Sequence, residues 1–263
     1  MSIQQSIYEG IKGLNYSGAK QILRSPAHYQ HWLTAERKET PALVIGRLVH
    51  TAIMLPKEFN NKVHELPECD RRTKEGKAIY EQFVASVGKD DDVITSEQMQ
   101  TITSIANSGI TALATLGLQG EPYTKIECSI TKPYRDIIIK GRPDLVTIDK
   151  EGKTVVVDFK TTQDASARAF ARDIVNYEYH IQNAFYNELN NSTRFIFIAI
   201  EKEPPFNYAI YELDAEAIGE GKRRMDIACD LYRDCQRFGA WPGYDKTVQS
   251  LSLPRYAFSQ TQE

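Results

Sequence analysis

The sequence is poor in the features that mark several large classes of protein. Its four cysteines, Cys69, Cys128, Cys229 and Cys235, form no CxxC pair, and five residues separate the last two. That pattern excludes a zinc signature, a disulfide framework and an iron–sulfur cluster, and it leaves reduced thiols of a cytosolic protein. No run approaches the ~20 apolar residues of a membrane span. The opening MSIQQSIYEG lacks the apolar core of a secretory signal. Positive charge is not in excess either: 32 Lys and Arg face 35 Asp and Glu, a net charge of −3. No global basic field advertises a nucleic-acid partner, although a local basic channel remains compatible with that balance. Repeats and Gly/Ser linkers are missing, so the 263 residues read as a single domain, 1–263.

What is present is a run of helices, then strands, then helices again. NYSGAKQILRSPAHYQHW predicts a short helix capped by Ser17 and punctuated at Ser25-Pro26, with a second turn carrying His28, Tyr29 and Trp32. TPALVIGRLVHTAIMLPKEF predicts a helix from Pro41 to about Leu55, with Thr40 as cap and Pro56 as stop; apolar nearly all round, it is expected to be buried. A basic loop and amphipathic helix follow in CDRRTKEGKAIYEQFVASVGKDDD, then a helix capped at Thr95 or Ser96. YTKIECSI, DIIIKGRPDLVTID and TVVVDFKTT read as a β meander. One or two helices span DASARAFARDIVNYEYHIQNAFYNELN, and RFIFIAIEK and NYAIYEL form a further strand pair. AEAIGEGKRRMDIACDLYRDCQRF is a long helix, and the tail WPGYDKTVQSLSLPRYAF is irregular. This order predicts an α/β fold with a central mixed sheet flanked by helices.

The chemistry gathers around TVVVDFKTT. Asp158 and Lys160 arrive at the end of a strand buried on both faces, where charge is costly unless paired or bound to something. Two apart on a strand, they share one face. The preceding hairpin turns at DKEGK, with Gly152 supplying a permissive backbone. If Asp149 pairs with Lys153, the same register places Asp144 opposite Asp158, with Cβ atoms ~5 Å apart. Carboxylates that close repel, so one must protonate or a cation must bridge them. On its own D-x-K is short and common, and it reads better as a surface ion pair. With RPD at hairpin distance it resembles a divalent-metal site, since hard carboxylate oxygens suit Mg²⁺ or Mn²⁺. Lys160 would then orient the attacking water and stabilise charge in the transition state. Three further candidates are His50 in GRLVH, Glu127 on the strand before the hairpin, and Gln182 with Tyr186 in QNAFY, which share a helix face at i and i+4.

Taken in order, GRLVH, GRPDLV, VVDFKTT and QNAFY resemble the RecB-type branch of the PD-(D/E)xK nuclease superfamily, and more closely the nuclease domains of the exonuclease VIII (RecE) family with its phage and prophage members. YSGAKQILRSPAHYQHW, DRRTKEGKAIYEQF and the tail extend the likeness nearly end to end. The resemblance implies a PD-(D/E)xK core in which Asp144, Asp158, His50 and the main-chain carbonyl of Phe159 are metal ligands and Lys160 is the motif lysine. Glu127 would be an accessory glutamate for a second metal or its waters, and Gln182 and Tyr186 would support the site. It implies Mg²⁺-dependent 5′→3′ digestion of linear double-stranded DNA, with Mn²⁺ as a substitute, leaving 3′ single strands for an annealing protein. A ring-shaped homo-oligomer, no membrane, and the cytoplasm of a bacterial or phage-infected cell follow from the same likeness. Arg71, Arg72, Lys74 and Lys77 are candidates for DNA phosphate contacts, and Ser17 for the 5′ phosphate. A structure-specific or restriction-like endonuclease on the same core is the alternative, and a binding protein with a degenerate nuclease fold is a third reading.

Overall fold

A computed structural model describes residues 8, 10–36, 39–120 and 122–254. Two short helices open the fold, α1 (Tyr16–Arg24) and α2 (Pro26–Thr34), followed by α3 (Pro41–Met54) and α4 (Pro56–Lys62). Strand β1 (Val63–Glu65), helix α5 (Lys74–Ser86), strand β2 (Asp92–Ile94) and helix α6 (Ser96–Thr115) come next. Strands β3 (Lys125–Ile126), β4 (Ile130–Tyr134), β5 (Ile137–Gly141), β6 (Leu145–Ile148) and β7 (Thr154–Thr162) precede helices α7 (Ala167–Asn176) and α8 (Tyr179–Asn190). Strands β8 (Arg194–Glu201) and β9 (Tyr208–Tyr211) lead into α9 (Ala215–Phe238).

The central sheet has the order β3-β6-β7-β8-β9, with only the β7–β8 pair parallel. It is the mixed sheet that the sequence predicts. β7 lies in its middle because Val155, Val156 and Val157, all fully buried, give it an apolar surface on both sides. Val155, Val157 and Phe159 face α3 and α6, and Val156 faces the layer of α7. The β6–β7 register matches the prediction: Leu145 pairs with Val157 and Ile148 with Thr154, and the Asp149 N–H donates to the Lys153 carbonyl at 2.9 Å. Gly152 sits in the turn with φ of 78°.

Several expectations are corrected. The strand run through Ile137–Gly141 does not join the central sheet. It pairs with β4 as a separate hairpin and bridges Leu14 through Ile139, so the chain is not one continuous meander. Glu127 is not on a strand; it follows β3 in a left-handed conformation, φ 45°, which ends the strand. Asn15, not Ser17, caps α1, accepting the Gly18 N–H at 2.8 Å, and Ser17 lies one residue inside the helix. Pro56 does not merely stop α3 but starts α4 at once. Helix α3 is buried only from Leu48 onward; Leu43 is 60 % exposed, because the helix overhangs a cleft instead of sealing it. β1 and β2 form a small parallel pair that periodicity did not reveal. The tail through Pro254 has no regular structure after α9, and Arg255–Phe258 of that motif lie outside the described residues. Among the described residues, no helix is long and apolar enough to cross a membrane.

Helix α9 packs across α8, and Gly221 makes the closest approach. A Cβ placed there would sit 2.1 Å from the His180 carbonyl oxygen, and a backbone atom cannot swing away. Gly221→Ala is therefore expected to cost ~1–3 kcal/mol through overpacking, read as a fall of at least a few degrees in Tm. An unchanged melting curve would show that the two helices are free to separate.

Candidate active site

The site forms where β7 passes the end of β6. Asp144 stands one residue before β6, and its Oδ2 accepts the backbone N–H of Phe159 at 2.9 Å. The same oxygen lies 3.3 Å from Nδ1 of His50, which α3 presents. On the α8 side of β7, Oδ1 of Asp158 accepts Nε2 of Gln182 at 2.7 Å. Asp158 Oδ2 lies 2.5 Å from Nζ of Lys160, as the shared strand face requires. Lys160 also sits over the Tyr179 ring, 4.5 Å from its centroid. Tyr186 lies one turn beyond Gln182, with its hydroxyl 3.3 Å from the Arg142 carbonyl oxygen that it donates to. Strand alternation thus sorts the site: Asp158 and Lys160 meet α8, while His50 and the Phe159 ring meet on the other face, 6.2 Å apart.

Burial decides the electrostatics. It pushes the Asp158 carboxyl up to about 6, the neighbouring Asp144 charge adding to the effect against the pull of Lys160. Burial works against a charge on Asp144 too, but His50, Lys160 and the Phe159 N–H outweigh it and hold that carboxyl below the usual range. His50 is also penalised by burial, yet Asp144 keeps its imidazole above the ordinary value. Two neighbouring carboxyls are thereby driven apart, the behaviour of groups in a working site.

Glu127 has partners of its own beside the site. Its carboxylate is ion-paired with Arg142, and Arg142 Nε donates to the Glu127 carbonyl at 2.9 Å. The Glu127 N–H in turn donates to the Asp144 carbonyl at 3.0 Å. Glu127 therefore clamps the segment that carries Asp144, and it lines one cavity with His50 and Tyr179. Arg71 and Arg72 lie in the turn before α5 and Lys74 and Lys77 in its first turn, and the four line neither of the cavities beside the site. Ser17 lines the larger cavity, which also touches Arg142 and Tyr186. Sequence reasoning missed Arg142, although GRPD contains it, and Tyr179, which precedes Gln182 by three residues on the same helix face.

The donor set suits a hard divalent cation: two carboxylates, an imidazole and a backbone carbonyl. One structural observation supports the fit. Asp158 Oδ2 and Gln182 Oε1 are buried and accept no hydrogen bond, Lys160 being close to Oδ2 but out of line for one. Among the described residues no three His, Cys, Asp or Glu side chains already enclose a metal position. The carboxylates instead lean on cations of the protein itself, Asp144 on His50 and Asp158 on Lys160.

Fold and site together define a metal-dependent nuclease of the PD-(D/E)xK superfamily, a group that uses divalent metals. The chain belongs to the family described as a PDDEXK-like domain of unknown function, whose model matches residues 15–253. Its fold is shared with a candidate exonuclease from Eubacterium rectale: 12 % identity, 98 % of this chain and 96 % of that one covered, TM-score 0.54. Weaker likenesses are to SSO0001, at 16 % identity over 82 % of this chain and 84 % of that one, TM-score 0.32. A Vibrio cholerae protein, VC1899, is 11 % identical over 90 % of this chain and 57 % of its own, TM-score 0.26. No protein of curated function matches the chain.

Gln182→Leu removes one of the groups holding Asp158 in its buried position. The expected loss is ~1–3 kcal/mol, measured as a lower urea midpoint at unchanged slope. A midpoint equal to that of the wild type would mean the carboxylate is satisfied without Gln182.

Proposed function

We propose that the protein is a Mg²⁺-dependent 5′→3′ exodeoxyribonuclease of the exonuclease VIII (RecE) type, acting on ends of linear double-stranded DNA and leaving 3′ single strands. The observation that carries this reading is the convergence of Asp144, Asp158, Lys160, His50 and Gln182 on one strand end, in the chain order of that family's motifs. His50, Asp144, Asp158 and the Phe159 carbonyl would hold the metal, with Mn²⁺ as a substitute, and a bound divalent cation supplies a Lewis acid at the scissile phosphate and a more acidic water. The ammonium of Lys160, steadied over Tyr179, points the attacking water and meets the negative charge that develops on the phosphate. Gln182 fixes the rotamer of Asp158 by its 2.7 Å hydrogen bond. Tyr186, whose hydroxyl burial keeps protonated well above neutral pH, donates to the Arg142 carbonyl and holds the segment beside Asp144. Glu127, locked to Arg142, serves as a support for that segment. Arg71, Arg72, Lys74 and Lys77 are offered to duplex phosphates outside the cleft. A ring-shaped homo-oligomer, a single-strand annealing partner and a cytoplasmic setting complete the reading by family likeness.

The test is Mg²⁺-dependent cleavage of one linear duplex labelled at either end, beside covalently closed circular DNA. Nucleotides released from 5′ ends with the circle intact are expected. A cut circle would replace this reading with an endonuclease on the same core, and no cleavage of either would leave a binding protein.

Two variants separate metal binding from chemistry. Asp158→Ala is expected to abolish cleavage while circular dichroism stays that of the wild type, and its Tm is expected to lose the rise that Mn²⁺ gives the wild type. Lys160→Ala is expected to keep the Mn²⁺-induced rise and lose turnover. Wild-type rates from either would place the chemistry elsewhere.

A further inference from the structure

A glycine inside a helix destabilises it relative to alanine, so Gly46 within α3 calls for a reason. Close packing does not supply one, because a Cβ built on Gly46 would meet no atom within 4 Å. What lies beside it is space. Gly46 and Leu43 line a cavity of about 480 Å³, and Leu43 is 60 % exposed. His50, one turn further along α3, lines the same cavity, which therefore opens beside the catalytic end of β7.

The turn between α7 and α8 gives this cavity an aromatic part. Tyr177 stacks on Tyr179 at 5.4 Å and 26°, and Tyr179 carries the Lys160 ammonium over its ring. The backbone of Tyr177 is fixed: its N–H donates to the Asp173 carbonyl at 2.9 Å, and its carbonyl accepts the Tyr16 hydroxyl. The residue nevertheless remains 51 % exposed. Tyr177 is thus held at its backbone and by one stacking partner, next to the tyrosine that steadies the motif lysine.

Charge completes the lining. Arg47 is paired with Glu39 and Asp92, His50 with Asp144, and Glu127 with Arg142, while Asp173 accepts the Thr162 hydroxyl at 2.8 Å. Lys202, one residue past β8, is half-buried in the same cavity, and its N–H donates to the Thr162 carbonyl at 3.0 Å. Among the described residues it is the one cation of this lining without a carboxylate partner. An aromatic ring and an apolar helix flank suit a base, and an ammonium suits a phosphate. The volume falls within the roughly 300–1,000 Å³ of a site for one small ligand. A paired base has both faces covered by its neighbours in the stack, so the nucleotide that fits is an unpaired one.

We propose that the cavity between α3 and the α7–α8 turn takes one unpaired nucleotide of the DNA strand at the site, with its base on Tyr177 beside Gly46 and its phosphate at Lys202. The proposal rests on the nuclease reading and deepens it, by naming the residues that hold a nucleotide next to His50.

The full chain is titrated in EDTA, so that nothing is cut, with a fluorescein-labelled hexathymidylate and with the same strand made without bases. Anisotropy gives Kd for each. The base-bearing strand is expected to bind at least roughly fivefold tighter, the worth of one base stack. Tyr177→Leu is expected to lose that preference and Tyr177→Trp to keep it. Gly46→Leu places a side chain in open space on a helix, which favours folding. It is expected to weaken the base-bearing strand alone, with Tm no lower than that of the wild type. Lys202→Gln is expected to weaken both strands alike and to flatten the log–log salt slope by about 0.7. Equal binding of the two strands by the wild type, or binding of neither, overturns the proposal. So does a preference that survives Tyr177→Leu, a wild-type Kd in Gly46→Leu, or an unchanged salt slope in Lys202→Gln. The cleavage assay run in parallel separates the two claims. Cleavage without the base preference removes the nucleotide site alone. A preference that obeys the variants, without cleavage under any divalent metal, keeps the site and removes the nuclease.

Discussion

Everything near the site depends on keeping the carboxylate of Asp158 in the interior. It is 1 % exposed, on the central strand of the sheet. A lone buried carboxylate costs several kcal/mol even after relaxation. Three neighbours lower that cost: Lys160 on the same strand face, the Gln182 amide, and His50 through space. The ion pair need not stabilise the fold on balance, because desolvation of both partners roughly cancels their attraction. Stability comes instead from the valines just before it, each buried side chain contributing about 1.5–3 kcal/mol. The strand thus anchors itself with one half and presents charge with the other.

The second constraint is the route of the chain around Asp144. β5 ends at Gly141 in one hairpin, and β6 begins at Leu145 in the central sheet. The residues between them change sheets, which leaves their backbone groups without a ladder partner. Arg142 and Glu127 restore order there: the guanidinium bonds the Glu127 carbonyl, and the Glu127 N–H bonds the Asp144 carbonyl. Their ion pair joins the residues that wall one cavity to those that wall the other. Glu127, expected as an accessory glutamate, braces this crossing through Arg142.

Local physics was readable from the sequence, and non-local physics was not. The β6–β7 register followed from a tight turn at Gly152, because a short loop leaves little freedom of pairing. Helix α9 was readable from end to end, since its periodicity and its Asp214 cap agree. The Asp158–Lys160 contact needed only strand alternation. By contrast, the β4–β5 hairpin turns at Arg135 and Asp136, both left-handed with φ of 49° and 63°, where Asn-Gly would be the usual signal. That turn is held from outside. Arg135 pairs with Asp226 and Asp230 of α9, at 3.1 and 2.9 Å, nearly a hundred residues away. The placement of Glu127 on a strand failed for the same reason: the left-handed backbone there goes with the pairing to Arg142, fifteen residues on, which local periodicity does not show.

Charge follows the same division. A net charge of −3 describes the molecule as seen from many Debye lengths away, but a phosphate at contact feels only groups within about 8–10 Å at physiological salt. At that range the acidic residues have been sorted. Arg135, Arg194, Arg223 and Arg233 are tied to Asp and Glu on the outer faces of the strands and α9. Gly10–Ala35 contains no acid of its own, and Lys20 there feels Glu178 from the turn before α8. A protein can therefore be mildly anionic overall, which keeps it from coating DNA at random, and still offer an anion an attractive approach along one wall. Arg135 lines a cavity together with Lys12 and Gly13, so paired and unpaired charges adjoin one another, and what an arriving anion feels is set by the groups at contact and not by the net charge.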